Sequence, residues 1–317
     1  MPRHKGQYAD LIDAETWAFI EETDSWYPPD AVDLSVSEQR DVYDRMCRAF
    51  FAGYPEGVTA SDHTIDNDGH AIPVRAYSLE GKERAGQIVY FHGGGFVVGG
   101  LESHDDVCAE LCGRTGLDVT SVDYRLAPEH RFPDDFNDCL VAYRSIAQRS
   151  DDPIILVGDS AGGNLAAAVS HATRKDDIRP AGQVLIYPGL GSDLDWGTFL
   201  THADAPLLTT QDTTFYKTIR TGGDDSVLRD PRATPLNDPD FANLPPTLVI
   251  SAECDPLSGD GDAYVQKIRD AGGIAEWINE KGLVHGYLRA RHTVKRAHES
   301  FGRIVAGIDD FARNRPG

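Results

Sequence analysis

A chain of 317 residues that is 40% hydrophobic carries enough apolar material for one large α/β domain with an appendage, or for two small domains. Its net charge of −21, drawn mostly from aspartate, argues against nucleic acid and anionic membrane surfaces as partners, and no apolar run approaches bilayer-spanning length. Five cysteines (Cys47, Cys108, Cys112, Cys139 and Cys254) accompany an N-terminus, Met1 to Asp10, without an apolar export signal; reduced thiols in a cytoplasmic protein are the expectation.

Residues 1–53 read as helical. Asp13 precedes a capped start at Ala14-Glu15-Thr16-Trp17, Tyr27-Pro28-Pro29-Asp30 is a break, and Glu38 to Phe51 sets Val42, Met46 and Phe50 on one stripe. Val58 to Tyr77 reads as a hairpin turning at Asn67-Asp68-Gly69. Gln87 to Phe91 is a buried strand that runs into His92-Gly93-Gly94-Gly95-Phe96, a loop whose backbone N–H groups can approach a ligand closely. A helix over Ser103 to Arg114, a strand over Val119 to Tyr124 and a helix from Phe132-Pro133 to about Gln148 follow.

Ile154 to Val157 is the next buried strand, and Gly158-Asp159-Ser160-Ala161-Gly162 joins it to an Ala-rich helix. A strand feeding a helix through G-x-S-x-G is a nucleophile elbow, in which glycines permit a turn sharp enough to lift the serine hydroxyl clear of the sheet. Gln183 to Tyr187 is another strand. Residues 189 to about 235 break the alternation, with one helical stretch near Asp212 to Arg220. A strand over Thr247 to Ala252, a helix over Ala263 to Asp270, a strand over Ile274 to Asn279 and a helix over Thr293 to Phe311 complete the chain. Strands alternating with helices imply a mostly parallel sheet covered on both faces, with its active site beyond the C-terminal strand ends.

Ser160 needs a base. Of the 11 histidines, His285 alone combines a place after a strand with a glycine-bounded loop that lets it lean over the elbow; the competing reading is a turn histidine facing solvent. His104, His171 and the other histidines without that context are expected on the surface or on helix faces, and His92 is expected to brace its loop. The base needs a carboxylate to hold its tautomer. Asp255 is favoured over Glu253, which alternation turns away, and over Asp260, which suits the first turn of the following helix. The backbone N–H groups of Gly94, Gly95 and Ala161 are the candidate donors to an oxyanion. Metal-ligand and nucleotide-binding spacings are absent, so neither metal nor cofactor is implied.

His92-Gly93-Gly94-Gly95-Phe96, Asp123-Tyr124-Arg125-Leu126-Ala127-Pro128-Glu129, Gly158-Asp159-Ser160-Ala161-Gly162-Gly163, Asp255-Pro256-Leu257 and His285-Gly286-Tyr287 occur in this order. Together they resemble the hormone-sensitive-lipase family of bacterial esterases, over about residues 58–317. The resemblance implies an eight-stranded α/β-hydrolase core (residues 54–188 and 236–317) under a helical cap (1–53 and 189–235). It implies carboxylic-ester hydrolysis with Ser160, Asp255 and His285 as triad and Gly94, Gly95 and Ala161 as oxyanion hole. It also implies preference for short acyl chains and a homodimer. Two departures stand out: Gly259-Asp260 replaces an Asp-Glu pair, and Asp134-Asp135 replaces small residues and suits a helix N-terminus.

The expected function is hydrolysis of short- to medium-chain carboxylic esters through an acyl-enzyme. An amidase or N-deacylase on the same triad and a ligand-binding receptor on a hydrolase scaffold are the competing readings. The expected partner is a small acyl ester, with Trp17, Trp26, Tyr27, Phe50 and Phe51 as candidates either to close the acyl pocket or to pack the cap.

Overall fold

The computed structural model describes residues 5–28, 34–67, 69–82, 85–149 and 151–313. Pro29 and Asp30 of the expected break, Asp68 of the expected turn and Met1 to His4 of the N-terminus lie outside the described residues. In chain order the elements are α1 (Lys5–Tyr8), α2 (Ala14–Ser25), α3 (Val36–Ala49), β1 (Val58–Asn67), β2 (His70–Leu79), β3 (Gln87–Phe91), α4 (Asp105–Thr115), β4 (Asp118–Val122), α5 (Asp134–Ala147), β5 (Ile154–Asp159) and α6 (Ala161–Thr173). There follow β6 (Gly182–Ile186), α7 (Thr198–Thr201), α8 (Thr210–Thr221), β7 (Thr247–Cys254), α9 (Ser258–Asp270), β8 (Ala275–Val284) and α10 (Lys295–Arg313).

The eight strands form one sheet in the order β1-β2-β4-β3-β5-β6-β7-β8. β2 pairs antiparallel with β1 and β4, and every other pairing is parallel. Each central strand is apolar on both faces and divides its side chains between two cores. Ile88 and Tyr90 of β3 join Ile155 and Val157 of β5 under α4 and α10. Val89 and Phe91 join Ile154 and Leu156 under α5, α6 and α9. This double burial explains why these strands read as continuous apolar runs.

Strand order decides where a site can form. The chain moves from β3 to β4 on one side and then crosses back to β5 on the other, so a crevice opens where β3 and β5 end side by side. Phe91 stands opposite Gly158 there, which brings the loop after β3 against the turn after β5. At the other edge Cys254 of β7 pairs with Val284 of β8, so the next residues, Asp255 and His285, emerge together.

Two elements exceed their sequence expectations. α9 begins at Ser258, five residues earlier than Ala263, although Ser, Gly and Asp are weak helix formers. Packing overrides propensity: a β-carbon at Gly261 would meet Ser251 Oγ at 2.6 Å, so the glycine lets the helix lie close on β7. β8 runs on to Val284 across an irregularity in the pairing: Glu280 stands opposite Ala252 and Val284 opposite Cys254, and Glu253 holds the residues between. Lys281 Nζ meets Glu253 Oε1 at 2.7 Å, and Gly282 N–H donates to Glu253 Oε2 at 2.8 Å.

The helical ends follow local rules. Asp13 Oδ1 caps α2 by accepting from Thr16 N–H at 2.9 Å, and Ser35 with Glu38 forms a capping box on α3. All five cysteines are buried and unpaired. Among the described residues no helix is long and apolar enough to cross a membrane, and no cluster of His, Cys, Asp and Glu is arranged to hold a metal ion.

Candidate active site

The turn between β5 and α6 is the tightest point of the chain. Ser160 has φ 53° and ψ −116°, a region that side-chain-bearing residues rarely adopt. Two glycines make it possible. A β-carbon at Gly158 would come within 2.3 Å of the Gly162 carbonyl oxygen, and one at Gly162 within 1.9 Å of the Phe91 carbonyl oxygen. The Ser160 N–H donates to the Ile186 carbonyl at 2.8 Å, which ties the turn to β6.

The structure brings Ser160, His285 and Asp255 together from the ends of β5, β8 and β7. His285 Nε2 lies 2.9 Å from Ser160 Oγ, and His285 Nδ1 lies 2.7 Å from Asp255 Oδ2. Asp255 is fully buried, and its second oxygen accepts the Leu257 N–H at 2.8 Å. An ionised Asp255 directs the imidazole proton to Nδ1 and leaves Nε2 as an acceptor for the serine hydroxyl. The rival carboxylates are engaged elsewhere. Glu253 serves the β7–β8 edge. Asp260 does sit in the first turn of α9, but it is buried and accepts the Leu190 and Gly191 N–H groups at 2.6 and 2.8 Å.

Gly94, Gly95 and Ala161 border the same cavity as Ser160 and His285. Gly94 has φ 127°, and a β-carbon there would lie 2.0 Å from the Val98 carbonyl oxygen, so the loop tolerates no side chain at this point. The loop is held from below by Asp159, the residue before the serine. Its carboxylate accepts from Gly93 N–H at 2.9 Å, from Tyr90 Oη at 2.8 Å and from His104 Nε2 at 3.3 Å. Burial opposes the Asp159 charge, yet His104 and these donors prevail and hold the carboxyl well below its ordinary range.

His92 braces the loop as expected: Nδ1–H donates to the Gly93 carbonyl at 2.8 Å, and the ring stacks on Tyr124 at 4.3 Å. Burial pushes its pKa down from 6.5 to about 4, with the neighbouring His104 acting the same way. His171 points away from the site to Asp238, at 2.8 Å. One reading needs refinement: of the two places expected for His104, surface or helix face, the surface is ruled out, because it is 3% exposed and serves Asp159. Asp135 opens α5 as expected, and it is also buried and pairs with Arg220 of α8 at 2.6 Å.

The cavity above the serine measures about 750 Å³. Trp17 and Tyr27 from the N-terminal region border it, as do Phe199, Phe215 and Tyr216 from the segment after β6. The other candidate aromatics do not. Phe50 packs edge-on against Phe19 at 5.4 Å, while Trp26 and Phe51 are 40% and 46% exposed.

A mostly parallel sheet in this strand order, with a serine on the strained turn after its fifth strand, defines the class of α/β hydrolases. Residues 88–289 match the family described by its alpha/beta hydrolase fold. The chain is 36% identical over 261 residues to the carboxylesterase NlhH of Mycobacterium tuberculosis, covering 78% of this chain and 81% of that one. It is 33% identical over 253 residues to an ethyl acetate hydrolase of Pseudomonas putida, covering 76% and 79%. Among solved structures, a hyperthermophilic esterase from Pyrobaculum calidifontis superposes with a TM-score of 0.87 at 30% identity, covering 96% of this chain and 100% of that one. An ester hydrolase from the metagenome of Lake Arreo, complexed with a derivative of bipyridine phosphonate, gives 0.89 at 29% identity over 96% and 100%. The chain belongs to the hormone-sensitive-lipase family of α/β hydrolases and is an enzyme of the carboxylic-ester hydrolase class.

Neutral His92 has a consequence for stability. The unfolded chain binds this proton near pH 6.5 and the folded chain only near 4, so the stabilisation is complete above pH 6.5 and is lost as pH falls to about 4. The loss from this group amounts to roughly 3 kcal/mol. Urea denaturation across this window is expected to show falling stability, with a shallower fall for His92→Asn; equal slopes in the two proteins would contradict the assignment.

Proposed function

We propose that this protein hydrolyses short- to medium-chain carboxylic esters through an acyl-enzyme on Ser160. The observation that carries the proposal is the unbroken relay from Asp255 through His285 to Ser160, with contacts of 2.7 and 2.9 Å. In this reading Ser160 Oγ attacks the ester carbonyl while His285 Nε2 takes its proton. The negative charge formed on the carbonyl oxygen is met by the N–H groups of Gly94, Gly95 and Ala161, each worth about 3–4 kcal/mol in such a role. Ala161 opens α6, whose positive end adds to the field at that oxygen. The imidazolium, stabilised by Asp255, then protonates the departing alkoxide. A water molecule deprotonated by His285 attacks the acyl-enzyme and frees the serine.

Residues 1–53 and 189–235 act in this reading as a cap that sets acyl length. The aromatic walls supplied by Trp17, Tyr27, Phe215 and Tyr216 favour an apolar acyl chain, and the bounded volume favours a short one. The activities of the two relatives, a carboxylesterase and an ethyl acetate hydrolase, support the same substrate class.

Ser160→Ala is expected to reduce hydrolysis of p-nitrophenyl butyrate at least about a thousandfold with an unchanged thermal midpoint; turnover near the wild-type rate would reject the nucleophile. Asp255→Asn should cost about a hundredfold more than Glu253→Gln, and the opposite ranking would move the acid. Across p-nitrophenyl esters from acetate to palmitate, kcat/KM should peak at or below the octanoate and drop at least about tenfold at laurate. A maximum at palmitate would remove the cap from its assigned role.

A further inference from the structure

Arg289 stands in the wall of the catalytic cavity with no carboxylate among the described residues in direct contact with its guanidinium; the buried Asp159 acts on it only at longer range. It lies on the turn Tyr287–His292 just after His285, and it borders the cavity together with Ser160 and His285. A β-carbon on Gly286 would meet Arg289 Nη1 at 3.3 Å, so the guanidinium rests against the residue next to the base. Its Nε–H donates to Cys47 Sγ at 3.2 Å and its Nη2 donates to Tyr43 Oη. A buried thiol and a buried phenol are both neutral partners, and burial pushes the proton affinity of each upward. Among the described residues the direct partners of its guanidinium are these two neutral groups.

The two fully buried arginines differ from the half-buried Arg289. Arg220 meets Asp135 at 2.6 Å, and Arg291 meets Asp106 and Glu110 at 2.6 and 2.7 Å. The chain pairs its two buried guanidinium groups directly with carboxylates, whereas the half-buried guanidinium on the cavity wall is bonded to neutral groups. Of the acids bordering the cavity, Asp159 is committed to the glycine loop, Asp212 to the capping box of α8, and Asp260 to the backbone after β6. Among the described residues Arg289 Nη1 has no protein acceptor for its two N–H donors, and Tyr43 Oη accepts from Arg289 and keeps its own proton to donate. A planar cation with free donors beside a phenolic hydroxyl matches the two oxygens of a carboxylate.

We propose that Arg289 and Tyr43 bind a carboxylate carried by the ester, so that the preferred substrates are anionic esters: half-esters of dicarboxylic acids, or acyl esters of hydroxy acids. The proposal rests on the reading of Ser160 and His285 as the reacting pair and specifies what that pair receives. It makes Arg289 a specificity-determining residue that takes no part in proton transfer.

Two pairs of esters that differ only in charge test it. Monoethyl succinate against ethyl succinamate places the carboxylate on the acyl side; acetoxyacetate against acetoxyacetamide places it on the alcohol side. At pH 7.5, a working value chosen because it lies about three units above an ordinary carboxyl pKa, the wild-type enzyme should show kcat/KM at least about tenfold higher for the acid than for the amide in one of the pairs. Arg289→Gln should reduce that ratio at least about tenfold, and Arg289→Lys, which keeps the charge, should retain more of it. A wild-type ratio at or below unity in both pairs overturns the proposal without recourse to any variant. So does a Gln variant that folds and keeps the wild-type ratio. Failure of the wild-type enzyme to hydrolyse p-nitrophenyl acetate would be a separate result, striking the esterase reading itself.

Discussion

The backbone of one residue constrains this molecule more than any other. Ser160 holds a conformation that costs about 1–3 kcal/mol in an ordinary chain, and it persists because its neighbours leave no alternative. Gly158 and Gly162 allow the strand, the turn and the helix to approach within distances no side chain would permit. The buried strands β3 and β6 then grip the turn from both sides, through the Phe91 carbonyl beneath Gly162 and the Ile186 carbonyl on the Ser160 N–H. The hydroxyl is therefore aimed by the sheet itself, and the loops around it need only arrive at its position.

Asp159 shows how that turn and the glycine loop become one rigid object. Its side chain points below the elbow and meets the Gly93 N–H, two buried tyrosine hydroxyls and His104. A charged group in such a place is stable only when every oxygen is answered, and here each one is. The aspartate in the motif thus sets the distance between the serine and the amides that face it. It has no direct part in the reaction.

Chemistry and selectivity fall on different parts of the structure. The reacting groups stand on strand ends, where registers such as Cys254 opposite Val284 give fixed placements. The walls come from α2, α3 and α8, helices outside the sheet that are held by apolar packing, such as Phe19 and Ile20 of α2 in the main core, and by charged contacts. Arg220 joins α8 to Asp135 and lies 3.6 Å over the Phe96 ring, and Arg40 joins α3 to Glu129 and to the Val97 and Ala127 carbonyls.

Local chemistry carried much of this molecule. Apolar runs marked the buried strands β3, β5, β6 and β7, the Asp13 cap marked α2, the Val42-Met46-Phe50 stripe marked α3, and the spacing around Ser160 identified the elbow, because each of these depends on neighbours a few positions away. Asp255 and His285 were legible as residues that follow strands, which is a statement about order along the chain. What joined them was strand adjacency, a contact between segments about 30 positions apart that no local pattern encodes. Tertiary packing alone decided that His104 lies beneath Asp159, that Asp135 answers Arg220, that α9 begins on Ser258 and that Arg289 faces the cavity with neutral groups as its direct partners. A polar side chain in sequence has no inside or outside; burial and partnership are properties of the assembled layers.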